Sequence, residues 1–218
     1  MTSEVHANPV GGEAVLVAGW CAPAFAEVKQ AFATNLAVGD DLGASVAIYQ
    51  NGRCVLDLTG GSTVSGAPYP RDALHVLNSS TKGVTSLCLM QLAESGTLRL
   101  DAPVADYWPE FATHGKEAVT VRQLLSHQAG LTGFVEKVAI EAFADWQRVT
   151  GLLADQTPFW EPGTDHGYHA LTFGLLAGEL IRRISGKLPG AYLRDTFADP
   201  LDLDIFLGLP KALHARVT

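Results

Sequence analysis

Two residues three apart open the chemistry of this chain. Ser79 and Lys82 stand in the run Asn78-Ser79-Ser80-Thr81-Lys82-Gly83, just ahead of an apolar helical stripe that begins at Val84. Positions three apart share one face of a helix, so the spacing brings an amine towards a hydroxyl. A serine hydroxyl is a weak nucleophile at neutral pH and needs a base within hydrogen-bond reach. A buried lysine gives up its proton more readily, because burial disfavours the charged form. The start of a helix adds N–H groups and a positive dipole end, which suit a developing oxyanion. Ser80 fails the spacing, so Ser79 is the candidate nucleophile. The plainer reading makes Ser79 or Ser80 a helix cap and Lys82 a solvated side chain. Serine and lysine are common, and this spacing arises about once by chance in a chain of such length.

Other chemistries lack their motifs. The sequence has no G-x-S-x-G nucleophile elbow. It has neither G-x-x-x-x-G-K nor G-x-G-x-x-G, so no phosphate-cradling loop is expected. His166 and His169 are three apart, a spacing that suits a metal, yet no H-E-x-x-H or cysteine partner accompanies them. No metal or other cofactor is expected. Cys21, Cys54 and Cys88 form no close pair and read as small buried thiols, which points to a reducing compartment.

The elements that must position Ser79 and Lys82 follow from periodicity. Residues 1–20 read as a loose arm. Phe25, Val28, Phe32 and Leu36 recur at helical spacing within residues 22–37, and Gly39 ends that helix. Residues 44–49 and 54–58 are short apolar runs joined by Asn51-Gly52, which predicts a hairpin with a type I′ turn. A lone hairpin is marginal in water, and no clear further strands follow. From residue 79 the pattern is mostly helical. Val84, Leu87, Cys88 and Leu92 form one stripe. Thr120 is placed to cap a short helix through Leu125, and Asp145 another to about Ala154. Leu171, Leu175, Leu176, Leu180 and Ile184 form a strong stripe opposed by Glu179, Arg182 and Arg183. A last helix is expected over residues 191–197.

Several segments stand in a telling order. After Ser79-Ser80-Thr81-Lys82 come Leu98-Leu100-Asp101-Pro103-Val104, then Thr120-Val121-Arg122-Gln123-Leu124-Leu125-Ser126-His127 and Gly130-Leu131. Trp160-Glu161-Pro162-Gly163 and Tyr168-His169-Ala170-Leu171 follow. In that order the chain resembles the serine β-lactamase-related superfamily, in the class C-like branch that includes the family VIII carboxylesterases. The similarity runs over about residues 21–210. It implies Ser79 as the acyl-accepting nucleophile, Lys82 as the lysine that assists its deprotonation, and Tyr168 as the tyrosine of the second motif. That tyrosine acts with the lysine as general base and later protonates the leaving group. A tyrosine of ordinary pKa near ~10 needs nearby positive charge for this, which Lys82 can supply.

Two departures shape the expectation. The second motif often reads Tyr-x-Asn, but here Ala170 holds the third place and offers an amide substrate no hydrogen bond. The family's C-terminal part also supplies further sheet strands and a third motif of Lys-Thr-Gly, His-x-Gly or Trp-x-Gly type, which has no counterpart here. The resemblance thus implies an α+β, β-lactamase/transpeptidase-like fold, truncated to its N-terminal portion over residues 21–218. Residues 21–72 would be its α/β part and 73–218 its mainly helical part. His127 is read as a core or loop-anchoring histidine, since the Leu-Leu-Ser-His segment is structural in the resemblance. Trp108, Trp146, Phe159 and Trp160 read as core before substrate contacts.

Composition limits the partners. The chain is 47% hydrophobic, which suits a packed core and excludes a mainly disordered state. Its formal charge of -8 repels nucleic acid, and no Lys/Arg cluster offsets it. No apolar run approaches the ~20 residues that cross a bilayer. The apolar stretch over residues 14–26 imitates a secretory signal, but Glu4 and Glu13 precede it without any Lys or Arg, so a cytoplasmic location is expected. The resulting expectation is a serine carboxylesterase acting on small ester substrates through a Ser79 acyl-enzyme, with Lys82 and Tyr168 as the acid/base pair. The alternatives are a β-lactamase or D-Ala-D-Ala-type peptidase, and a truncated, non-catalytic fragment.

Overall fold

The computed structural model describes residues 5–7 and 15–218, in two units. One comprises Met1–Val76 with Lys211–Thr218, the other Leu77–Pro210. The boundary falls a few residues beyond the expected 72/73, and the final segment returns to the first unit. There Leu74 N–H donates to Arg216 O (2.8 Å) and Thr218 N–H to Leu74 O (3.2 Å).

The first unit holds an antiparallel four-stranded sheet in the order β1-β2-β4-β3. Its strands are β1 (Val5–Ala7), β2 (Val15–Cys21), β3 (Gly43–Gln50) and β4 (Arg53–Gly61). The expected hairpin is β3–β4. Asn51 (φ 51°) and Gly52 (φ 72°) both adopt the left-handed backbone of a type I′ turn. Helix α1 (Ala26–Val38) lays Ala33 and Leu36 onto Val17, Leu56 and Leu58.

The loose-arm reading of residues 1–20 needs correction. Val15–Cys21 is a strand whose Val17 faces Gly60 and whose Cys21 faces Leu56, so the hairpin gains a third strand from upstream. Val5–Ala7 adds a fourth. The rest of the arm lies outside the described residues. The strand escapes notice because Val15-Leu16-Val17-Ala18-Gly19-Trp20-Cys21 is apolar at nearly every position and shows no alternation. Its partner β4 also lies far along the chain.

The second unit is helical: α2 (Thr81–Glu94), α3 (Val121–Leu125), α4 (Trp146–Asp155), α5 (Thr172–Ser185) and α6 (Pro189–Leu193). Both expected caps form. Thr120 and Gln123 make a reciprocal capping box (3.1 and 2.9 Å), and Asp145 Oδ1 accepts from Arg148 N–H (3.1 Å). The core gathers Leu89, Leu92, Trp108, Phe111, Leu124, Leu131, Leu153, Leu176 and Leu180.

Two faces differ from expectation. In α2, Thr85, Cys88, Leu89 and Leu92 are buried while Leu87 is exposed. Apolar residues surround this helix, so their period selects no single face. In α5, Glu179 is buried rather than opposed to the stripe, and Leu171 precedes the helix and is exposed. The Glu179 carboxylate accepts from Trp146 Nε1 (2.7 Å), Arg182 Nε (2.8 Å) and Arg183 Nε (2.7 Å). Burial pushes its pKa up, but these bonds outweigh burial and hold it below the usual range. Cys88 is buried, which pushes its thiol up to about 11, whereas Cys21 and Cys54 are half-buried. Among the described residues, no helix is long and apolar enough to cross a membrane.

Candidate active site

Ser79 sits in a single tight turn, Asn78–Ser80, that runs straight into α2. Asn78 enters it with φ 45°, a left-handed conformation that asparagine tolerates better than most residues. Ser80 is already helical and makes no side-chain cap bond, so the capping reading does not hold for it. Lys82 lies one turn on and half-buried, and its Nζ donates to Ser79 Oγ at 3.1 Å. The shared face inferred from the spacing is therefore real.

Tyr168 comes from the long loop between α4 and α5. Its ring centroid lies 4.7 Å from Lys82 Nζ. Hydrogen bonds with Lys82 and then Ser79 lower the phenol's pKa; desolvation opposes them, and the Lys82 charge adds a lesser lowering. All three sequence-predicted site residues thus meet. Ser79 and Tyr168 face solvent. Ala170, two residues past Tyr168, exposes a methyl group where an amide would stand.

A loop without regular structure needs other means to hold Tyr168. His169 N–H donates to His127 Nδ1 (3.1 Å), and Gly167 N–H donates to His127 O (3.1 Å). The His169 ring is buried and fully engaged: Nε2 accepts from Leu131 N–H (3.0 Å), so Nδ1 carries the proton it donates to Gly167 O (2.6 Å). Thr172 Oγ1 donates to Leu131 O (2.6 Å). A Cβ on Gly167 would stand 2.7 Å from the Trp160 ring, so this packing requires glycine. The His127 ring lies 5.1 Å from the Tyr168 ring and 5.1 Å from Phe173.

His127 is thus the loop anchor the sequence suggested. His166 and His169 do not converge, since His166 is exposed and His169 is spent on the loop. Trp108 lies in the core, Trp146 packs against that core, and Phe159 is exposed. Sequence reasoning missed Asn78 and the roles of His169 and Gly167. The Asn before Ser79 was the available signal for the first; no local pattern announces the others. A groove of about 540 Å³ lined by Trp108, Glu110, Gln147, Arg182 and Arg183 contains none of the site residues, and its Glu110 and Arg183 are paired with each other.

Comparison with known proteins places these residues in context. The beta-lactamase family pattern matches residues 28–218. The chain is 36% identical over 210 residues to the esterase/beta-lactamase LipL of Mycobacterium tuberculosis, covering 95% of this chain and 48% of that protein. A solved family VIII carboxylesterase superposes with a TM-score of 0.88 at 43% identity, covering 92% of this chain and 56% of the other. EstA from Arthrobacter nitroguajacolicus superposes at 0.82 with 36% identity, over 90% and 52% of the two chains. The chain spans about half the length of these relatives.

Proposed function

The chain belongs to the beta-lactamase family, and from that premise we propose that it is a serine carboxylesterase cleaving short-chain esters through an acyl-enzyme on Ser79. Its fold is the α+β, beta-lactamase-like fold. The observation that carries the reading is the meeting of Ser79 Oγ, Lys82 Nζ at 3.1 Å and a Tyr168 phenol of lowered pKa. Tyr168, drawn towards its phenolate by Lys82, accepts the Ser79 proton as Oγ bonds to the ester carbonyl carbon. The carbonyl electron pair moves onto oxygen, a charge that N–H groups at a helix start favour. The C–O bond then breaks, and Tyr168 returns the proton to the departing alcohol. Water adds to acyl-Ser79 by the same exchange, releasing the acid and restoring the serine.

Ester rather than amide substrates are supported by Ala170 and by the relatives described as esterases. A β-lactamase or peptidase reading draws on the similarity to LipL, an esterase/beta-lactamase. Turnover of p-nitrophenyl butyrate against nitrocefin separates the two. Mass spectrometry after a fluorophosphonate probe tests the nucleophile. A +adduct on Ser79 with ester turnover is expected. Neither adduct nor turnover would end the enzyme reading and leave a non-catalytic fragment.

A further inference from the structure

The loop bearing Tyr168 is held by an arrangement that depends on protonation state. Two histidines each present one ring nitrogen there as an acceptor. His127 Nδ1 accepts the N–H of His169, the residue next to Tyr168, at 3.1 Å. His169 Nε2 accepts the N–H of Leu131 at 3.0 Å. Only a neutral imidazole has a nitrogen free to accept. A proton on His127 Nδ1 would point at the His169 N–H, and one on His169 Nε2 at the Leu131 N–H. Either turns an attraction into two opposed donors.

We infer that His127 and His169, both neutral, are a pair of positioning residues that lock the Tyr168 segment in place, and that the site is competent only while both rings are uncharged. This rests on the proposed acid/base role of Tyr168. The surroundings keep the rings neutral. Burial acts first on His127, followed by the charges of Lys82 on α2 and of His166 on the same loop. Burial also dominates at His169, where the bond to Gly167 O opposes it and His127 adds to it. The Tyr168 ring, tilted against His127 with centroids 5.1 Å apart, also faces the pair. His127 is the less buried of the two rings.

The test uses the full chain, with kcat and KM on p-nitrophenyl butyrate followed between about pH 5 and 8, alongside amide and imidazole resonances of ¹⁵N-labelled protein. His127→Asn keeps an acceptor near the Nδ1 position but cannot be protonated there. His127→Leu removes the acceptor. Expected for His127→Leu is a kcat loss of about 10–100-fold with KM nearly constant, since a small misplacement costs that much. His127→Asn should recover roughly tenfold of it and lose one proton from the acid limb. In the unmodified protein, the Tyr168 and His169 amides should shift together with His127 titration. An unchanged acid limb in His127→Asn, or amides indifferent to the titration, overturns the inference. Amides that follow the titration in a protein without ester turnover would uphold the lock and sink the hydrolase reading. If His127→Leu does not fold, His127→Asn and the resonances still decide.

Discussion

The turn that carries Ser79 and Lys82 and the loop that carries Tyr168 hold their side chains by different physics. Ser79 and Lys82 are set by helix geometry: three residues apart on one face, joined at 3.1 Å, they need only that α2 begins where it does. Tyr168 has no such local frame. Its position depends on His127, Leu131, Trp160 and Thr172, brought to it by tertiary packing. Changes in remote packing should leave the geometry of the first half intact and disturb that of the second.

Substitutions should expose that difference. Ser79→Ala has the largest expected effect, a loss of at least about 10³-fold in kcat. Its thermal midpoint should stay close to the original, because Ser79 is exposed. Tyr168→Phe follows, with about 10²–10⁴-fold lost from kcat. A fall in the rate of Ser79 acylation by a fluorophosphonate would locate that loss in the first step. Gly167→Ala removes none of the proposed reacting groups but drives a methyl against Trp160. Overpacking of this sort costs about 1–3 kcal/mol, visible as a lower denaturation midpoint, and kcat should fall roughly tenfold as Tyr168 is displaced. Thr120→Ala removes a cap of α3 and should cost about 1 kcal/mol in stability, with kcat nearly constant.

The pH dependence of stability is the mildest test. His127 and His169 both have pKa values below the ordinary histidine range in the folded chain. The unfolded chain therefore binds protons first as pH falls. The stability these rings contribute is whole above the unfolded histidine pKa of ~6.5 and is lost as pH drops from there through the folded values. Urea midpoints measured across that window should decline towards acid, and His127→Asn should decline less.

Much of this was legible. Thr120 and Asp145 announced their helices because a cap is a contact between near neighbours. Asn51-Gly52 announced its turn because few residues accept positive φ. Ser79, Lys82 and Tyr168 were legible through their place among ordered segments that resemble a family. Strand β2 was not, because its uniform apolar run carries no period and its partner β4 is distant in sequence. Glu179 was misread as surface because its burial rests on three donor side chains, one of them on α4.

What residue order carried, then, was everything governed by neighbours a few positions away: helix starts, the hairpin turn and the pairing of a hydroxyl with an amine one turn on. Folding in three dimensions added what distant segments impose on each other. It gave the hairpin two further strands, sank a carboxylate among arginines, and pinned Tyr168 beside Lys82 through two histidine rings. Backbone conformation is a short-range property, whereas burial and hydrogen-bond partnership depend on which remote surfaces exclude water together.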